Sequence, residues 1–521
     1  MIRFPISIAL VVALFILTAP AQAQLVRTPD ARADDAAGPY DRLIISGATV
    51  IDGSGAPPIG PADILIQQNR IDAIGSPGSF DEGGADHRID ATGMFVLPGF
   101  VDTHGHTGDP DKAPNADYAY RLWLAHGVTS VRGVPLYTAE NDAGLSDARR
   151  SAAGAITAPR LFPYAVLGAF WDGGPLRTED DGRRWVRWAK DAGYLGMKVF
   201  HPVEPAALRG ALAAADELDF GSVAHLGQLG VAEVNGLEAA RMGIGGLTHF
   251  YGHFESLLEN GTIQTFPPDY NYANEQDRFS GVATLVDQIV EPGSKRWDAY
   301  IDTLLAAGVT LSPTFNIYVA SRDVMRARTF EWHDDYTLPS LMDFYTPSLT
   351  DHGSYYFDWT TADEVQWRRF YRPFMQLVND YKNRGGRVTV GSDPGFIYQT
   401  WGFAYVGELE MLQEAGFSPL EVLRSATIEG AREIYEQNGE TPPMGLVRAG
   451  MLADLVIVPQ NPLANFKTLY GTGTPRLNLE TDQVEMVGGV RWTIKDGRIY
   501  DAQKLLADVR AMVAAQERAA D

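Results

Sequence analysis

His104 and His106 stand two residues apart at the end of an apolar, β-branched run over residues 95–102. Strand periodicity sends side chains i and i+2 the same way, so the pair offers two nitrogen donors in one direction, as a divalent cation requires. Alone the signal is weak. Ten histidines in 521 residues produce His-x-His by chance, or as two solvent-exposed loop residues. Three further donors change its weight: His225, His249 and Asp393 close other strand-like runs, at 221–225, 246–249 and 387–393. The chain has no cysteine, so any metal must be held by nitrogen and oxygen, and no disulfide framework or lipoprotein thiol is available.

For these donors to meet, an architecture must bring strand ends to one face. Eight runs, at 95–102, 127–132, 160–166, 196–200, 221–225, 246–249, 308–314 and 387–393, alternate with helical patterns such as 206–218. They predict an α/β protein built on a (β/α)8 TIM-like barrel, whose functional residues sit at the C-terminal ends of the strands. Lys198 falls in the fourth run. A buried ammonium there is costly and repels a cation. Either it pairs with a barrel carboxylate, or CO2 carboxylates its nitrogen to a carbamate, an anion able to bridge two metal ions. The carbamate is the expectation.

The two ends of the chain read as β-rich, with strands at 43–51 and 63–66, then at 453–458, 484–487 and 490–494, and a hairpin turn at 495–498. Residues 40–95 and 438–501 are expected to form one small discontinuous β-sandwich domain flanking a barrel over 96–437, with a C-terminal helix over 502–521. Two connections, 251–296 and 317–367, are long enough to be binding elements or lids. The second carries Tyr355, Tyr356, Phe357 and Trp359, expected either to cover an apolar substrate or to pack among themselves.

Residues 1–23 combine Arg3, an apolar stretch from Ile6 to Leu17 and a small-x-small site at Ala21-Gln-Ala23. This is the pattern of a cleaved signal peptide, short for a membrane span, and predicts a periplasmic or secreted protein with no stable membrane anchor after cleavage. The formal charge of −23 argues against a nucleic-acid partner, which needs a basic face.

The stretch Pro98-Gly-Phe-Val-Asp-Thr-His-Gly-His106 resembles the signature of the amidohydrolase superfamily, and Lys198, His225, His249 and Asp393 match its ligands in strand order. Residues 425–431 and 444–457 resemble the segments by which these enzymes return to their β-domain. Within the superfamily, Gly127-Val-Thr-Ser-Val-Arg132 and the Lys198 position are similar to the imidazolonepropionase-related and Xaa-Pro dipeptidase-like group. The resemblance implies hydrolysis of an amide or other C–N bond, in a non-peptide or dipeptide-like substrate, by a metal-activated hydroxide. Two divalent ions are expected, zinc first among them. His104, His106 and Asp393 would hold one, His225 and His249 the other, and carboxylated Lys198 would bridge them. Asp393 would also carry the catalytic proton, and His201, His253 and Tyr251 would lie on the substrate side. His87, His126, His333 and His352 read as ordinary surface or helix residues.

The alternative within the fold is hydrolysis of a lactone, cyclic imide or phosphoester, because fold does not fix chemistry. A non-catalytic binding protein is the reading from another class, but such a protein is expected to lose ligands, and none of the six is missing. The expected partner is a small-molecule or short-peptide substrate, with self-association left open.

Overall fold

The computed structural model describes residues 25–136, 141–200, 202–261, 263–349 and 352–520. The expected signal peptide and His201 lie outside them.

Seven parallel strands follow one another in spatial order: Phe100–Gly105, Val128–Gly133, Arg160–Val166, Gly196–Val199, Gly221–Ala224, Gly246–Thr248 and Thr310–Ser312. All are buried almost throughout, as a parallel sheet covered by helices requires. The expected eighth strand is not regular. Residues 387–393 instead bridge the two open edges: Leu311 N bonds Arg387 O and Thr389 N bonds Leu311 O on one side, while Thr103 N bonds Val390 O and Asp393 N bonds His104 O on the other. The barrel is therefore (β/α)8-like, closed by a segment whose hydrogen bonds are shared between two neighbours.

The run at 95–102, expected as one barrel strand, divides into two. Phe95–Pro98 pairs with Leu455–Val458 in the flanking sheet, and Phe100–Gly105 opens the barrel. The break falls at Gly99, whose N–H bonds Asp454 O. A Cβ there would meet Thr129 Oγ1 at 2.2 Å, so only glycine lets the chain pass from one sheet to the other at this closeness.

Strands from both ends of the chain form one eight-stranded sheet with a separate apolar core that includes Ile45, Ile64, Val96, Leu455 and Ile494. The turns of its two terminal hairpins meet, so that a Cβ on Gly497 would stand 1.9 Å from Gln68 O, and Ala453, just before Leu455–Val458, donates its N–H to Asn69 O. The expected strand at 484–487 does not join it. Gln483–Val487 pairs with Thr474–Asn478 as an isolated hairpin, because its outward positions, Val484 and Met486 among them, have no facing layer.

Helix Ala116–Ala125 joins the segment around Asp35 and the terminal helix Ala502–Ala520 through Arg121. Arg121 bonds both oxygens of Asp35, at 3.0 and 2.9 Å, Asp117 at 2.9 Å and Asp508 at 3.0 Å. Among the described residues no helix is long and apolar enough to cross a membrane.

Candidate metal centre

All six expected ligands reach one end of the barrel. Asp393 lies at the centre, with Oδ1 3.2 Å from His106 Nε2 and 3.6 Å from His104 Nε2, and Oδ2 3.7 Å from His249 Nε2. Lys198 Nζ is 3.2 Å from His104 Nε2. The His225 ring stands 4.5 Å from that of His249, on the side away from the His104 and His106 pair by chain order around the barrel.

The backbone is held under strain at two of these positions. His249 has φ 65° and Asp393 φ 44°, a left-handed conformation that costs a non-glycine residue about 1 kcal/mol or more. Hydrogen bonds from His249 N to Ser312 O and from Asp393 N to His104 O hold both. Gly391 lets the closing segment approach: a Cβ there would meet Ser312 Oγ at 2.6 Å and His104 Cβ at 2.7 Å.

Asp102 fastens the two loops together. Its Oδ1 accepts from His104 N at 3.1 Å and Ser392 N at 3.0 Å, and its Oδ2 accepts from Trp123 Nε1 at 3.0 Å and from Ser392 Oγ. Burial pushes its carboxyl up to about 6 against these four donors. Sequence reasoning assigned Asp102 no part, although it stands inside the quoted signature two residues before His104.

The outer nitrogens decide which lone pairs point inward. His106 Nδ1 lies 3.2 Å from Pro135 O, a carbonyl that can only accept, so the Nδ1 carries the proton and the Nε2 lone pair faces Asp393. His249 Nδ1 lies 2.5 Å from Thr314 Oγ1, whose own proton goes to Pro313 O, so Nδ1 again donates and Nε2 again faces Asp393. The result is a ring of acceptors aimed at one another. Buried lone pairs repel at these distances unless a cation stands among them, so the donor set fits a metal ion.

The electrostatics agree. Burial disfavours the charged imidazoles: His104 and His225 lie well below the usual histidine range, and His249 falls to about 3. Burial also lowers Lys198 to about 8, with Asp393 pulling the other way. The Asp393 carboxyl is pushed up by burial, but His106, His249 and Lys198 outweigh this and hold it below the usual carboxylate range. Neutral imidazoles are the protonation state that metal ligation needs, whereas Lys198, at about 8, is still mostly an ammonium at neutral pH.

A cavity of about 410 Å³ opens on the cluster, walled by Val134, Val166, Phe170, Phe200, Ile317 and Phe396. Tyr251 lines it and stacks on His225, with ring centroids 4.6 Å apart. His253, expected beside it, turns away and is buried against Tyr300, with Nδ1 2.6 Å from the hydroxyl, and is not among the residues lining the cavity. Tyr355 and Tyr356 do not line the cavity either: they are buried where the two insertions meet, Tyr355 stacking on Phe279 of the first at 4.2 Å and both hydroxyls facing Ser321 of the second, so the second insertion packs partly on itself and partly on the first. His352, read from sequence as ordinary, lines the cavity with its Nδ1 3.1 Å from Glu275. The cavity aromatics come from loops after different strands, which no local pattern links.

Residues 95–477 match the model of the Amidohydrolase family. Over 64 residues the chain is 50% identical to an N-acyl-D-glutamate deacylase of Alcaligenes xylosoxydans xylosoxydans, a match covering 12% of either chain. Among solved structures it is similar to a bottromycin amidohydrolase, with TM-score 0.61 and 20% identity over 92% of this chain and 91% of that one. It is also similar to a Xaa-Pro dipeptidase with bound methionine, with TM-score 0.58 and 17% identity over 88% of this chain and 100% of that one. With more than two thirds of its length matched to the family model, and with the fold of these relatives, the chain belongs to the amidohydrolase family.

Proposed function

We propose that the protein is a metal-dependent hydrolase of amide or related C–N bonds, periplasmic or secreted, acting on a small molecule or short peptide. The observation that carries the reading is the convergence of the His106 and His249 lone pairs on the ionised Asp393, an arrangement that calls for a cation. His104, His106 and Asp393 would hold one divalent ion and His225 and His249 a second, with Lys198 as its carbamate between them; zinc suits these donors. When bound, such ions supply Lewis acidity and lower the pKa of water.

The chain's own residues do the rest. Asp393 Oδ stands where it can take a proton from an attacking water and return it to the leaving nitrogen. Pro135 O and Thr314 hold the imidazoles of His106 and His249 in the ligating tautomer. The apolar wall around Phe170, Phe200 and Phe396 excludes competing water, and Tyr251, fixed on His225, offers the substrate an aromatic edge.

The test is elemental analysis of the purified protein, followed by assay on a panel of N-acyl amino acids, dipeptides, a cyclic imide, a lactone and a phosphoester. Two ions per chain, turnover of C–N substrates, loss with a chelator and recovery with zinc are expected. A protein without bound metal that hydrolyses the panel equally well after chelation overturns the reading.

A further inference from the structure

None of the six expected ligands comes from the loop after strand Thr310–Ser312. Its side chains instead reach the two ligands whose backbones are strained. Thr314, itself at φ 48°, meets His249 Nδ1, and Asn316 Nδ2 donates to Ser392 O at 2.7 Å. That carbonyl belongs to the peptide unit whose N–H, on Asp393, donates to His104 O at 2.9 Å. The peptide plane is therefore held at its oxygen and at its hydrogen by two different loops. Its orientation fixes Asp393 at φ 44° and with it the direction of the carboxylate. Released, a non-glycine residue gains by leaving this region.

Asn316 is 2% exposed, and its orientation is settled by its partner: Ser392 O can only accept, so the amide nitrogen faces it, with Gln399 Oε1 3.3 Å away as a second acceptor. Its Oδ1 is buried with no hydrogen-bond partner among the described residues. An amide that leaves one of its own atoms unpaired is costly to bury, and what it supplies in return is the bond to Ser392. The residue is placed from behind by its own N–H, which donates at 2.8 Å to Oε2 of Glu408, fully buried on helix Phe403–Glu414. Burial pushes the Glu408 carboxyl well above the usual range, which favours the neutral form, an acceptor that adds no charge behind the cluster.

We propose that Asn316 is a positioning residue: it orients the peptide between Ser392 and Asp393 and so sets where the Asp393 carboxylate stands among the imidazoles, while Thr314 of the same loop sets His249. The loop after the seventh strand thus acts as a template for the spacing of Asp393 Oδ2 and His249 Nε2, 3.7 Å apart. Displacement of a reacting group by about 1 Å is enough to cost a factor on the order of 10² in rate. The inference rests on the metal-dependent hydrolysis reading for its kinetics and stands apart from it in geometry.

The experiment compares the wild type with Asn316→Leu, which keeps the branched shape and removes the donor, and with Asn316→Ala, all zinc-loaded and assayed on the best substrate of the panel well below their melting temperatures. Both variants are expected to lose about 10–10²-fold in kcat with KM within about twofold, and to bind zinc more weakly by about 10-fold or more in competition with a chromophoric chelator. Their crystal structures should show the Asp393 carboxylate moved by about 1 Å or more. An asparagine with a merely structural part would lower the melting temperature and leave kcat, zinc affinity and Asp393 as they are. The proposal is overturned if Asp393 stays in place in the variant crystals, or if it moves while kcat and zinc affinity both stay within about twofold. Should Asn316→Leu fail to fold, Asn316→Ala carries the same comparison. If the wild type neither binds zinc nor hydrolyses the panel, the metal reading has failed, and the crystals decide by themselves: a displaced Asp393 supports positioning by Asn316, and an unmoved one overturns it.

Discussion

Two buried polar clusters sit on opposite logic. Around Arg121, three acids (Asp35, Asp117 and Asp508) face three bases (Arg32, Arg121 and Lys504), and Thr157 donates a further bond of 2.7 Å to Asp35. The more exposed Asp34 also pairs with Arg32 at 3.8 Å and Lys504 at 3.4 Å, and the cluster ties the N-terminal segment and the terminal helix to the barrel. Around Asp393, the imidazole lone pairs and the carboxylate oxygens point at each other, and the backbone is strained at two positions to keep them there. A cluster whose acids and bases pair with one another holds the fold together. A cluster that needs something from outside is where function lies, and backbone strain at such places is tolerated because the surroundings over-determine it.

The comparison can be broken first at Lys198. Lys198→Ala removes the proposed bridging group and is expected to abolish turnover, by a factor on the order of 10³ or more, while a short carboxylic acid added to the variant restores part of it. The measurement is kcat with and without added acid, and full activity in the variant refutes the carbamate. Asp393→Asn comes next, with a loss in kcat on the order of 10²–10⁴, because the asparagine oxygen can still accept but cannot shuttle a proton. Metal content is measured alongside: near-normal kcat with both metals present removes Asp393 as the base, and joint loss of metal and rate leaves it a ligand only.

The opposite response is expected at the Arg121 cluster. Arg121→Met leaves Asp35 and Asp117 buried without their guanidinium and should destabilise the fold by about 3–5 kcal/mol, while the kcat of the folded enzyme stays within about twofold. Thermal unfolding and active-site titration separate the two effects, and an unchanged melting temperature would remove the structural reading of the cluster.

The smallest expected effect is in acid. Burial pushes the Asp35 carboxyl up, yet Arg121, Thr157 and the Arg32 N–H outweigh it and hold the carboxyl far below the usual range. Its contribution is fully present above the unfolded value of about 3.9 and is lost as pH falls below that towards the folded value. Melting temperatures between pH 5 and 3 should therefore fall less steeply in Asp35→Asn than in the wild type, and equal slopes would show that Asp35 does not carry the acid sensitivity.

Much of the barrel and of the ligand set was legible along the chain. Strands that are buried on both faces announce themselves as continuous β-branched runs, and a residue closing such a run must appear at the strand's C-terminal end. That logic placed His104, His106, His225, His249 and Asp393 together, as the structure does. It could not see that the run at 95–102 changes sheets at Gly99, because the reason is a neighbour, Thr129, with no trace in the run itself. Nor could it tell that residues 387–393 close the barrel without forming a regular strand, since their partners, Leu311 and Thr103, lie on both sides.

By itself the sequence determined periodicity, and with it which side chains end strands, which donors are present and that no thiolate can take part. The tertiary structure alone decided which lone pairs face inward, since the proton on each imidazole is placed by Pro135 and Thr314, residues brought there by other strands. It also decided the shape and charge of the cavity. Phe170, Phe200, Phe396 and Lys112 belong to separate loops, and the position of one loop against another is set by packing between elements, a long-range property that no local pattern in the chain encodes.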